Sequence, residues 1–67
     1  MSPTTVNGVG RSPAPGTTVA DLVAEHCASP RGVAVALNGE VVPRSAWPHT
    51  EVGPGDAVEI VSAAAGG

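Results

Sequence analysis

Two Asn-Gly dipeptides, Asn7-Gly8 and Asn38-Gly39, each separate two short runs that include β-branched residues. A two-residue loop between antiparallel strands needs positive φ at both central positions, and Asn followed by Gly meets that need at little steric cost. Each dipeptide therefore predicts a tight hairpin. Thr4-Thr5-Val6 is the first arm of one hairpin, and Val9 to Ser12 the second. Gly10 weakens that second arm, and Pro13 after it cannot donate a ladder hydrogen bond, so it belongs at a sheet edge. The other hairpin pairs Val33-Ala34-Val35-Ala36-Leu37, which alternates large and small at period two, with Glu40-Val41-Val42, which Pro43 stops.

One helix is predicted between the hairpins, over Thr17 to Cys27. Thr18 followed by Asp21 is a weaker relative of the Ser/Thr-x-x-Glu capping box, and Val19, Leu22, Val23 and His26 recur at i, i+3, i+4 and i+7. Ser29-Pro30-Arg31-Gly32 ends it. Beyond Pro43, Ser45 to Trp47 reads as a single helical turn, Gly53-Pro54-Gly55-Asp56 as a tight turn, and Ala57 to Ser62 as a last strand with Val58 and Ile60 inward. Two hairpins joined by a helix, with a final strand slotted between them, make an α+β chain of the ubiquitin-like β-grasp class. Its mixed sheet of four to five strands packs on one main helix. The domain spans residues 1–62, and 63–67, Ala-Ala-Ala-Gly-Gly, is expected to be a flexible tail.

At 67 residues the core is necessarily thin, and Trp47 is the only aromatic residue. The expected buried set is Val6, Val19, Leu22, Val23, Val33, Val35, Leu37, Val41, Trp47, Val58 and Ile60. A formal net charge of −3, with three Arg and no Lys, disfavours binding to nucleic acid or to an anionic membrane. No apolar run approaches a bilayer span. A single cysteine excludes an internal disulfide, and Met1-Ser2-Pro3-Thr4 lacks the basic start and apolar core of a signal peptide, so a cytoplasmic protein is expected. When free of its partners it is expected to be a monomer.

Side-chain chemistry is sparse. His26, Cys27 and His49 are the only nitrogen or sulfur ligands, and adjacent helical positions point His26 and Cys27 about 100° apart, which suits neither a metal nor a Cys-His nucleophile pair. Glu51, Asp56 and Glu59 read as a solvated acidic face. No catalytic or metal-binding residue is assigned, and no bound cofactor is expected. The remaining functional group is the carboxylate of Gly67. Two residues without Cβ, Gly66 and Gly67, can thread a narrow channel in another protein's active site. Converted there to a mixed anhydride such as an acyl-adenylate, the carboxylate would accept a sulfur or amine nucleophile.

Val6-Asn7-Gly8, the Pro15 to Val19 segment Pro-Gly-Thr-Thr-Val, the Val35 to Trp47 segment with its Leu-Asn-Gly-Glu-Val-Val-Pro-Arg-Ser-x-Trp core, Gly55-Asp56-Ala57-Val58-Glu59-Ile60 and terminal Gly66-Gly67 together resemble the ThiS family of sulfur carriers. The resemblance covers nearly the whole chain and departs from the family pattern at Pro13 and in the three alanines before Gly66. It implies a carrier acted on by others, not an enzyme. A ThiF-type adenylyltransferase, related to ubiquitin-activating enzymes, would use ATP to adenylate Gly67. Sulfur mobilised by a cysteine desulfurase would displace AMP and leave a thiocarboxylate, and thiazole synthase would take that sulfur into the thiamine thiazole ring. Gly67 is then the modified residue, Gly66 serves tail recognition, and Arg44 either caps strand-end carbonyls or docks the activating enzyme. Other carriers of this type serve molybdopterin, cysteine or natural-product biosynthesis. A ubiquitin-like modifier conjugated through Gly67 is the remaining alternative, although a chain without Lys cannot build polymers on itself.

Overall fold

The computed structural model describes residues 3–27 and 31–62. The expected tail, with Gly66 and Gly67, lies outside the described residues, as does the Ser29-Pro30 helix stop. Seven elements follow in order: β1 (Thr4–Val6), β2 (Val9–Arg11), α1 (Val19–His26), β3 (Val33–Leu37), β4 (Glu40–Val42), a 3-10 helix η1 (Arg44–His49) and β5 (Ala57–Ser62). The strands form one sheet in the order β2-β1-β5-β3-β4. The last strand in sequence is thus the middle strand in space. It runs parallel to β1 and antiparallel to β3. This is the β-grasp arrangement that the element order predicts, with β2 and β4 at the edges.

Both hairpins close as expected. Val6 pairs with Val9 across Asn7-Gly8, and Leu37 pairs with Glu40 across Asn38-Gly39. Positive φ occurs at Asn7 (52°) and Gly8 (82°), and again at Asn38 (51°) and Gly39 (86°), the pattern of a type I′ turn. β2 ends at Arg11, one residue earlier than predicted. The helix is also shorter, eight residues against eleven. Thr18 is its N-cap: the Thr18 hydroxyl accepts from the Asp21 amide at 3.2 Å, and the Asp21 carboxylate accepts from the Thr18 amide at 3.0 Å. A helix this short is marginal alone. Backbone bonds from Val19 N–H to the Thr50 carbonyl and from Val52 N–H to the Thr17 carbonyl, both 2.9 Å, tie its start to the segment before β5.

One face of the sheet carries the core. Val6, Val35, Val58 and Ile60 point from the strands toward Val19, Leu22 and Val23 of α1 and Trp47 of η1. One correction to the expected set follows from register. Val41 is 79% exposed, because it lies opposite Ala36 on the outer face, and Val42 packs inward in its place. His26 falls off the buried stripe and is exposed. Val33 and Leu37 are half-buried at the core margin. Two buried residues were not anticipated. Val52 is buried through the antiparallel bridge of Thr18 with Glu51, and Thr4 is covered while its hydroxyl donates to the Gly53 carbonyl at 2.6 Å. Leu22→Ala is expected to cost about 2–5 kcal/mol, whereas Val41→Ala, on the open face, should stay within about 0.5 kcal/mol of wild type. Paired thermal melts followed by circular dichroism measure both.

Candidate functional site

The terminal glycines are reached through β5, so the site is built from that strand upward. β1 pairs with β5 only as far as Val6 and Val58, whereas β3 continues alongside β5 to the pair Val33 and Ser62. On the β1 side, the Asn7 backbone N–H donates to the Val58 carbonyl at 2.9 Å. The Asn7 side chain then takes over. Its Oδ1 accepts from the Ile60 N–H at 2.8 Å, and its Nδ2 donates to the Ile60 carbonyl at 3.1 Å. One amide plane thus satisfies both main-chain groups of a residue that β1 does not reach. Two residues later, at Ser62, the described part of the strand ends.

At its other end β5 is held by the second Asn-Gly turn. The Asn38 N–H donates to the Ala57 carbonyl at 2.8 Å, and Asn38 Oδ1 accepts from the Ala57 N–H at 2.9 Å. Asn38 Nδ2 donates to Asp56 Oδ1 at 3.1 Å, while Asp56 Oδ2 accepts from the Gly53 N–H at 2.9 Å. Asp56 is therefore a turn-forming residue, as its place after Gly53-Pro54-Gly55 suggests.

The outer face of the sheet carries exposed apolar residues near the end of β5. Ala34, Ala36, Val41, Glu59, Val61 and Asn7 line a shallow hollow of about 280 Å³, with Val61 61% exposed. Arg44 opens η1, and its guanidinium lies over the Trp47 ring, 5.8 Å from the centroid. The indole N–H donates to the Val42 carbonyl at 2.9 Å. Trp47 is thereby fixed at both its polar edge and its π face. Cys27 is half-buried against the core at the C-cap of α1, and its backbone N–H donates to the Val23 carbonyl at 2.8 Å. Among the described residues no three His, Cys, Asp or Glu side chains gather where they could hold a metal ion, and no helix is long and apolar enough to cross a membrane.

Comparison with known proteins decides the family. The model of the ThiS family matches residues 4–67. The chain belongs to the ThiS family. Among solved structures, it is similar to the thiamine biosynthesis protein ThiS from Geobacter metallireducens, with 41% identity over 96% of this chain and 97% of that one, and a TM-score of 0.71. A search of curated proteins found no match. The ThiS match begins at Thr4, where β1 begins, and includes every element of the sheet. Replacing Trp47 by Phe keeps a ring but loses the bond to the Val42 carbonyl. It should lower stability by about 0.5–1.5 kcal/mol, measured by urea unfolding.

Proposed function

We propose that this ThiS-family chain is a sulfur carrier for thiamine biosynthesis, bearing the sulfur as a C-terminal thiocarboxylate on Gly67. The observation that carries the reading is the extent of the family match, which runs through residue 67 and so takes in both terminal glycines. The related structure from Geobacter metallireducens is named for thiamine biosynthesis, which favours the thiazole route over other sulfur-carrier pathways.

The carrier's reacting atoms all belong to its last residue. The Gly67 carboxylate attacks the α-phosphate of ATP on an adenylyltransferase, and pyrophosphate leaves. The acyl-adenylate is an activated acyl donor. The outer sulfur of a persulfide formed by a cysteine desulfurase attacks the carbonyl carbon and AMP departs, leaving an acyl persulfide. A second thiol then attacks the inner, enzyme-bound sulfur, is oxidised to a disulfide with it, and releases the thiocarboxylate for a thiazole synthase to consume. In this reading Cys27 has no part, since its thiol is half-buried against the core, 40 residues before Gly67 in the chain. Gly66 admits the tail to a narrow channel, because any Cβ there would meet the channel wall. Arg44, held over Trp47 at the surface, contributes a cationic contact to the docked adenylyltransferase.

Intact-mass spectrometry of the full chain with ATP, an adenylyltransferase, a cysteine desulfurase and cysteine tests the proposal. One oxygen exchanged for sulfur is expected, whereas a ladder of larger adducts would indicate conjugation to other proteins. Removing Gly67 withdraws the terminal carboxylate by one residue, about 3.3–3.6 Å of extended backbone. Misplacement by about 1 Å already costs about a hundredfold in rate, so the truncated chain should lose at least that factor in ATP–pyrophosphate exchange. The described core ends at Ile60, and the melting temperature should not change. Gly66→Val should fold and be impaired, while Cys27→Ser should take up sulfur like wild type. Sulfur uptake by the truncated chain at the wild-type rate would remove the basis of the reading.

A further inference from the structure

Asn7 and Asn38 share one backbone geometry and one successor, yet their side chains are held differently. Both have φ near +50° and both precede a glycine at φ above +80°. The Asn7 amide makes two bonds to partly buried main-chain groups of Ile60, 53 residues away. Asn38 makes one bond to the Ala57 N–H and one to the Asp56 carboxylate, both exposed. Asn-Gly is also a chemically labile pair, because glycine leaves the following main-chain nitrogen unshielded. That nitrogen, from Gly8 or Gly39, can bond to the Asn Cγ. Its proton leaves with Nδ2 as ammonia, and a succinimide ring forms. Water then opens the ring. Cleavage at the Cγ side gives Asp, and cleavage at the main-chain carbonyl gives isoaspartate; no oxidation or reduction occurs.

We propose that Asn7-Gly8 is a deamidation site gated by the end of β5, protected while its amide is clipped to Ile60 and exposed when that end lifts. Cyclisation requires Cγ to turn toward the Gly8 nitrogen and Nδ2 to leave. Both movements break the two bonds to Ile60. The same backbone at Asn38 is held through exposed contacts only, so Asn38 converts first in the native protein. Once Asn7 converts, the clip cannot re-form as before. An aspartate places a carboxylate oxygen where Nδ2 donated, against the Ile60 carbonyl. An isoaspartate adds an atom to the main chain within a two-residue turn, which displaces the Val6 and Val9 pairing. Either product loosens the part of β5 that leads to the C-terminus. The inference rests on the described strand and turns and stands independently of the sulfur-carrier reading.

Peptide mapping of the full chain, aged in mildly alkaline buffer with and without denaturing urea, measures Asp and isoaspartate at both positions. In urea the two sites should convert at similar rates. In the native protein Asn7 should be at least about tenfold slower than in urea, and slower than Asn38, as expected for a reaction that waits for local opening. Amide exchange on the Asn7→Asp protein should be about tenfold faster at Ile60 than in wild type, with β4 amides unchanged. Should that variant fail to fold, the ageing rates decide alone. Equal Asn7 rates in native buffer and urea, or wild-type exchange at Ile60 in the folded variant, would overturn the proposal.

Discussion

The central place of β5 is the constraint on which the sheet depends. The strand is last in the chain, so neither hairpin joins the other until it arrives, and its contacts with β1 span about fifty residues. Such pairing closes long loops before any neighbouring contact compensates for the lost chain entropy. The two Asn-Gly turns answer this by serving twice. Each reverses its own hairpin and also presents an amide to β5, Asn38 at Ala57 where the strand begins and Asn7 at Ile60 near its end. The strand is held at both ends by groups whose primary place is in turns.

A one-sided core follows from the shortage of large side chains. With Trp47 the only aromatic residue, there is enough apolar volume to fill one face of the sheet. The helix and the 3-10 turn share that face. On the other face the alternating positions of β3 are Ala34 and Ala36, too small to support a second layer, and Val41 and Val61 remain in solvent. Arg44 and Val42 between them hold the indole, the single ring that closes the core.

Local chemistry was legible in the sequence, and long-range chemistry was not. The turns, the Thr18–Asp21 cap and the strand limits depend on neighbours within a few residues, and they stand where the sequence places them to within one or two positions. Hydrophobicity alone places Val41 inward, whereas the register of the turn places it outward. A two-residue turn puts Leu37 opposite Glu40 and therefore Ala36 opposite Val41, and residues directly opposite share a face. His26 fits the helical period but is exposed in the last turn, and Cys27 beside it packs against the core instead. Val52 carried no period because it is buried by a single bridge, Thr18 with Glu51, that only the docked helix creates. Asn7 carries a local signal for positive φ alone. Its hold on Ile60 exists only once β5 has inserted.

Distance adds a last constraint on the proposed carrier. Five residues, 63–67, separate the end of β5 from the terminal carboxylate, and fully extended they reach at most roughly 17–18 Å from Ser62. An enzyme whose reacting atoms lie deep in a cleft must then bring its surface against the domain around Ser62. Contact with the sheet near the tail root thus becomes a geometric requirement of the chemistry, and sequence around that root can set which enzyme engages. The open face beside it offers Val61, Val41 and two alanines around Glu59, an apolar surface with one negative charge. In the proposed carrier the reacting group is a main-chain carboxylate common to every protein, so any selectivity between enzymes has to come from side chains outside it.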